Sequence, residues 1–286
     1  MYWLLGASIA AASLNSVALK SSKVTVAKDV FRFNLIGTIV WCIIIFVVNK
    51  GQLHLNREIL FWGMVYGIVQ MLFILFKALA MSNGDVSVTT VIGNCSLVVS
   101  VFASFLLWKE PVSGMDIAGL FILLIAIVLC TYRAGETKRH YHKYWKYYVI
   151  IFFILAASVG LVFKGFGKTE NAVHSNDMIF VAAVVMMIGY AAACAFTGGI
   201  RLGKEHTQGH FLKYAVACGA LSCMYNSMNI VLAGKMDAII FFPAFNGGVM
   251  LLSAILGIFI CGEKLNWKQK CGILLGITAI LLIGIF

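Results

Sequence analysis

The chain alternates long apolar runs with short polar breaks. The runs fall near residues 2–19, 30–48, 58–80, 86–108, 113–132, 147–166, 177–198, 211–233, 238–261 and 268–286. A helix needs about 20 such residues to cross the roughly 30 Å hydrocarbon core of a bilayer. Nearly all the charge sits in the breaks, from Lys20 to Asp29, Asn49 to Arg57, Arg133 to Lys146 and Arg201 to His210. The tightest breaks, Ser82 to Asp85, Lys109 to Val112 and Gly234 to Asp237, are short enough to join only antiparallel neighbours. The runs are continuous rather than alternately polar and apolar, which excludes a transmembrane barrel. The pattern predicts an all-α integral membrane protein with ten transmembrane helices.

Composition points the same way. Of 286 residues, 62% are hydrophobic and 12% charged, against roughly 45–50% and about 25% in soluble domains. A mean hydropathy of +0.96 leaves too little polar surface to cover a soluble particle. The net charge of +11 raises nucleic acid as a partner, but the basic residues punctuate apolar runs and form no stripe with aromatics. No nucleic acid partner is expected; the lipid bilayer is. With ten spans, 16 of the 22 Lys and Arg fall on one face. The positive-inside rule then places the Arg133–Lys146 loop in the cytoplasm and both termini outside. The eight cysteines are scattered through apolar stretches with no C-x-x-C, so they read as small core hydrophobes, without disulfide or metal. The first run has no basic segment before it and reads as a mature span rather than a signal peptide.

The chain also repeats itself. An offset of 153 residues pairs 78–132 with 231–285 without a gap, bringing Leu79 onto Leu232, Ser100 onto Ser253, Glu110 onto Glu263 and Gly119 onto Gly272. Each copy has an apolar helix closed by a glutamate, then a short polar turn and a glycine-containing last helix. Offsets near 148 and 144 pair Asp29 with Asp177 and Lys20 with Lys164. Five helices per copy is an odd number, so the copies are inverted, an architecture of secondary transporters with a site near the midplane.

Several segments carry a resemblance. They are Trp108-Lys109-Glu110-Pro111-Val112 leading into Gly119, Phe242-Pro243-Ala244-Phe245-Asn246-Gly247-Gly248, Gly262-Glu263-Lys264-Leu265 with Gly272, and Phe31-Arg32-Phe33 opening the second span. With the span count, the chain resembles the ten-helix EamA-type members of the drug/metabolite transporter superfamily. The resemblance implies two inverted five-helix repeats, 1–132 and 147–286, joined by a basic loop at 133–146. It further implies alternating access around a central cavity lined by helices 1–4 and 6–9, with helices 5 and 10 outside. It implies cytoplasmic termini, opposite to the charge count, and with the compact loops a bacterial cytoplasmic membrane; no cofactor is expected, and a homodimer is a possible assembly.

Uncharged polar groups within spans are the informative positions, because facing lipid would leave them unsatisfied. On the eighth span Gly219, Ser222, Asn226, Asn229 and Ala233 share one face; on the third, Gly63, Gly67, Gln70, Ile74 and Lys77 do. The candidate substrate-binding set is Asn15, Trp41, Tyr66, Gln70, Asn94, Tyr190, Tyr225, Asn226, Asn229 and Asn246. The bland alternative is that such faces glue helices together. Lys20, Lys77 and Lys164 lie within about a turn of span ends and are expected to snorkel. Glu110 and Glu263 are expected to orient and pack helix ends, and Asp29 and Asp177 to cap helices.

None of the eleven acids is mid-span. A midplane carboxylate is what proton coupling or a strongly cationic substrate would call for. The expectation is therefore a small-molecule solute, neutral or zwitterionic and amino-acid-like, exported or exchanged. The rival is uptake of an anionic or quaternary-ammonium solute through Lys77, Lys164 or the aromatics. An intramembrane enzyme is not expected: all six histidines lie in connections, away from any buried constellation of acids.

Overall fold

The computed structural model describes residues 1–22, 24, 27–83, 86–131, 143–197, 208–261 and 266–285. Regular structure among them is helical throughout: α1 (Tyr2–Ser21), α2 (Ala27–Val48), α3 (Arg57–Asn83), α4 (Val86–Trp108), α5 (Gly114–Thr131), α6 (Trp145–Gly167), α7 (Ser175–Phe196), α8 (Gln208–Lys235), α9 (Ala238–Cys261) and α10 (Trp267–Ile285), with a 3-10 turn at Glu170–His174. Eight of them, α1 to α4 and α6 to α9, are long and apolar enough to cross a bilayer. The partners α5 and α10 are shorter, at 18 and 19 residues. Each helix lies within a few residues of a predicted run. The Arg133–Lys146 loop up to residue 142, with His140 and His142, lies outside the described residues, as does Glu263.

Helix ends show how the chain turns. After α4, Lys109 takes a left-handed conformation (φ 53°) with its N–H donated to the Phe105 carbonyl at 3.0 Å. Pro111 follows, and a residue before proline is driven out of the helical region, so Glu110 leaves the helix axis. At α5, Ser113 and Asp116 form a reciprocal capping box: the Ser113 N–H donates to Asp116 Oδ2 at 2.9 Å and the Asp116 N–H to Ser113 Oγ at 3.1 Å. At α10, Asn266 and Gln269 do the same, at 3.0 and 2.9 Å. These two boxes are related by the same 153-residue offset found in the sequence.

Packing follows that relation. Exchanging α1–α5 for α6–α10 carries α3 on α7 onto α8 on α2, α1 on α8 onto α6 on α3, and α4 on α6 onto α9 on α1; α2 on α7 and α5 on α10 map onto themselves. The largest break in the symmetry is one pair. α6 packs along α8, whereas the equivalent α1 and α3 make no comparable contact among the described residues.

The α6–α8 contact is backbone on backbone, near the end of the bundle that carries the N-terminus and the α2–α3, α6–α7 and α8–α9 connections. A Cβ on Gly234 would lie 2.7 Å from Gly167 Cα, and one on Gly167 would lie 2.6 Å from Gly234 Cα. Glycine is required at both, since no side chain can rotate away from backbone. Gly234→Ala is expected to destabilise by about 1–3 kcal/mol, the usual cost of overpacking, measured as a lower melting temperature in detergent; an unchanged value would mean that the helices are not this close. Outward faces carry Phe102, Leu107, Phe121, Ile154, Ile188 and Phe259, all exposed, as a lipid-facing surface requires.

Candidate functional site: a central cavity

A cavity of about 230 Å³ lies between five helices. Each contributes a stripe at helical spacing: Gln70, Phe73, Lys77 and Met81 from α3; Thr90, Gly93, Asn94, Leu97 and Ser100 from α4; Phe152, Ala156, Gly160 and Phe163 from α6; Tyr225, Asn226 and Asn229 from α8; Phe241, Phe242, Phe245 and Asn246 from α9. The expectation of eight lining helices is thus met by five: among the described residues α1, α2 and α7 contribute none to the lining, nor do α5 and α10.

The wall runs from the α3–α4 end of the bundle inward. Lys77, Met81 and Thr90 lie near that end, and Asn229, Phe163, Phe241 and Phe242 form the floor. Asn229 is six residues, about 9 Å at 1.5 Å per residue, from the end of α8 at Lys235.

Beyond the floor the bundle is shut. Glu110 and Lys164, 6% and 0% exposed, form an ion pair there, and Lys168 Nζ lies 3.6 Å from the same carboxylate oxygen. Lys164 Nζ also donates to the Met236 carbonyl at 2.6 Å. The other Glu110 oxygen accepts the Ala238 N–H at 2.7 Å, at the start of α9, where backbone N–H groups lack helical partners. Glu110 therefore joins α4, α6 and α9, as a packing element was expected to. Lys164 does not snorkel: it is sealed beneath the floor, held by an anion and a carbonyl.

Lys77 departs from the same expectation in another way. It lines the cavity instead of the lipid face, with Nζ 5.8 Å from the Phe73 ring centroid, in cation–π range. It is the one charged lining residue, and no carboxylate lines the cavity among the described residues.

Six of the ten candidate residues meet at this wall: Gln70, Asn94, Tyr225, Asn226, Asn229 and Asn246. Their free valences differ. Asn226 is used at both ends, donating to the Ser222 carbonyl at 2.7 Å and accepting from Tyr66 Oη at 3.1 Å. Asn229 Oδ1 accepts from Ser8 Oγ at 2.6 Å, and Asn246 Nδ2 donates to the Phe242 carbonyl at 2.8 Å. Gln70 is 8% exposed and its Oε1 has no hydrogen-bond partner among the described residues. Asn94, half-buried on the wall, makes no hydrogen bond among the described residues.

The other four stand off the wall. Tyr66 packs on Phe163, ring centroids 4.9 Å apart, and holds Asn226 from behind. Trp41 Nε1 donates to Ser222 Oγ at 2.9 Å, tying α2 to α8. Tyr190 is buried, with its hydroxyl unpartnered among the described residues, as is Asn15 Oδ1. Asp177, expected as a cap, instead accepts from Asn49 Nδ2 at 2.5 Å.

The aromatic surface is made by phenylalanines that the sequence reading did not select. Phe73 meets Phe152 at 5.4 Å, and Phe241 stacks on Phe245 at 6.0 Å. Their signal was positional: Phe242 and Asn246, like Phe73 and Lys77, are four residues apart on one helix face.

A family model for the EamA-like transporter family matches residues 1–132. Residues 1–132 belong to the EamA-like transporter family. This family lies within the drug/metabolite transporter superfamily, so the matched residues are similar to part of a membrane transporter of that kind, and the all-helical fold agrees with it. A solved structure titled only as the crystal structure of a protein superimposes with a TM-score of 0.73 at 12% identity, over 99% of this chain and 97% of the other. It shares the fold. No curated protein matches in sequence. The match to a transporter family implies a small-molecule solute and a lipid environment.

Proposed function

We propose that this EamA-family chain is a secondary, alternating-access carrier of small zwitterionic solutes of the amino-acid kind, working as an exporter or exchanger in a bacterial cytoplasmic membrane. One observation carries the reading: Lys77 and the unpartnered carbonyl of Gln70 lie on the wall of a mostly apolar cavity without a carboxylate among its described lining residues. A half-buried cation and a buried acceptor are costly to leave without a partner. A solute carboxylate satisfies the lysine and Asn94, a solute ammonium satisfies the Gln70 carbonyl, and its body packs on Phe241 and Phe245. With no carboxylate among the described lining residues to cycle a proton, transport down a gradient or by exchange fits better than proton antiport.

Lys77 also favours a second reading, uptake of a purely anionic solute. Thermal-shift titration of the detergent-purified chain with amino acids, organic acids, phosphorylated sugars and quaternary amines separates them, because a bound ligand raises the melting temperature by mass action. Zwitterions are expected to stabilise. Gln70→Ala and Asn94→Ala are each expected to weaken that effect roughly five- to tenfold, the loss of a hydrogen bond of about 1 kcal/mol. Stabilisation by anions alone selects the second reading, and stabilisation by quaternary amines alone overturns both.

A further inference from the structure

Away from the cavity, on the closed end of the bundle, two histidines and an aspartate converge from both halves of the chain. α2 ends in a tight turn in which Lys50 and Gly51 both take left-handed conformations (φ 52° and 76°), returning the chain toward His54. His174 closes the 3-10 turn before α7, and Asp177 lies in the first turn of α7. Asp177 Oδ2 is 3.2 Å from His174 Nδ1 and 3.8 Å from His54 Nδ1, and the three atoms lie within 4.8 Å of one another. Both rings therefore turn the same nitrogen toward one carboxylate oxygen, with ring centroids 4.5 Å apart.

The carboxylate is itself positioned. Asp177 is 3% exposed, and its other oxygen accepts from Asn49 Nδ2, whose own carbonyl accepts from Asn176 Nδ2 at 3.4 Å. A second-layer amide that fixes a ligand carboxylate is a common support for a metal ligand. Around the cluster is a separate cavity of about 220 Å³, lined also by Gln52 and Val173.

From this arrangement we propose a divalent transition-metal site with His54, His174 and Asp177 as ligands. A triangle of these sides holds a point about 2.4 Å or less from all three atoms, a few tenths of an ångström beyond the 2.0–2.2 Å that zinc takes to imidazole and carboxylate. Two nitrogens and one oxygen suit zinc, nickel or cobalt rather than calcium or magnesium, which take oxygen ligands. The fourth position faces the cavity and takes water. Because His54 belongs to the α2–α3 connection and the other ligands to the α6–α7 connection, the ion clips the two halves together. The proposal does not depend on the carrier reading.

Isothermal titration of the full chain in detergent with Zn²⁺, and visible spectroscopy with Co²⁺, tests it. One Zn²⁺ per chain is expected, with a tetrahedral Co²⁺ spectrum. His54→Ala and His174→Ala should each weaken binding tenfold or more, and Asn49→Ala should weaken it about tenfold, the usual range for a supporting residue. The histidine variants lie at the surface and keep the bundle intact, so their melting temperatures without metal should match the parent. Absence of Zn²⁺ binding overturns the site, and so does binding undiminished in the His54→Ala/His174→Ala variant, which would place the metal on cysteines or other histidines.

Discussion

Glu110→Ala is expected to cost about 3–5 kcal/mol of stability, the usual result of removing one partner of a buried ion pair. The reason is what stays behind. Lys164, fully buried, would lose the carboxylate it is paired with and keep only the Met236 carbonyl as a close partner, and the first N–H of α9 would lose its acceptor. Thermal or denaturant unfolding in detergent reads the effect directly. Lys164→Met should recover part of the loss when added to Glu110→Ala, because replacing both charges with apolar groups removes the orphan. If the double variant is no more stable than Glu110→Ala, the pair is not the source of the penalty. Lys168 is 40% exposed and reaches the same carboxylate only at 3.6 Å, so Lys168→Ala alone should be close to neutral.

Lys77→Gln carries the second large effect, on binding rather than stability. A hydrogen bond to a charged group contributes about 1.5–3 kcal/mol, so affinity for a carboxylate-bearing solute should fall roughly 10- to 100-fold. Glutamine keeps the length and polarity, and the wall and its phenylalanines remain. An ester or amide analogue that lacks the carboxylate should bind parent and variant alike. Equal loss for the analogue would assign Lys77 to shaping the cavity instead of reading charge, and no loss for either would remove it from the site.

The helices were legible because a bilayer imposes one length and one polarity on every span; α1 to α10 follow the apolar runs to within a few residues. Gln70, Asn94, Asn229 and Asn246 were legible for a related reason, that an amide facing lipid has nothing to bond. Asn226 obeys the same rule, but Tyr66 and the Ser222 carbonyl satisfy it internally. Phe152, Phe241 and Phe245 were not legible, since a phenylalanine suits lipid, core and cavity equally well. Position along a helix also failed to fix the lysines. Lys77 and Lys164 both sit near span ends, yet one meets the cavity and the other Glu110, from another helix. The closeness of His54 to His174 likewise arises only when the two halves fold together.

The Gly167–Gly234 seam bears on how sharply the molecule can change state. Backbone atoms in contact have no rotamers through which to yield by degrees, so this end of the bundle is either joined or parted. On the alternating-access reading, the balance between a solute-accepting and a solute-releasing form then behaves as a two-level equilibrium. In such an equilibrium, 1.4 kcal/mol added to one side changes the population ratio tenfold. The alanine expected to strain this seam by about 1–3 kcal/mol would then act as a bias on occupancy. It would tip a folded population from one access state toward the other and leave the affinity of each state for its solute as it was.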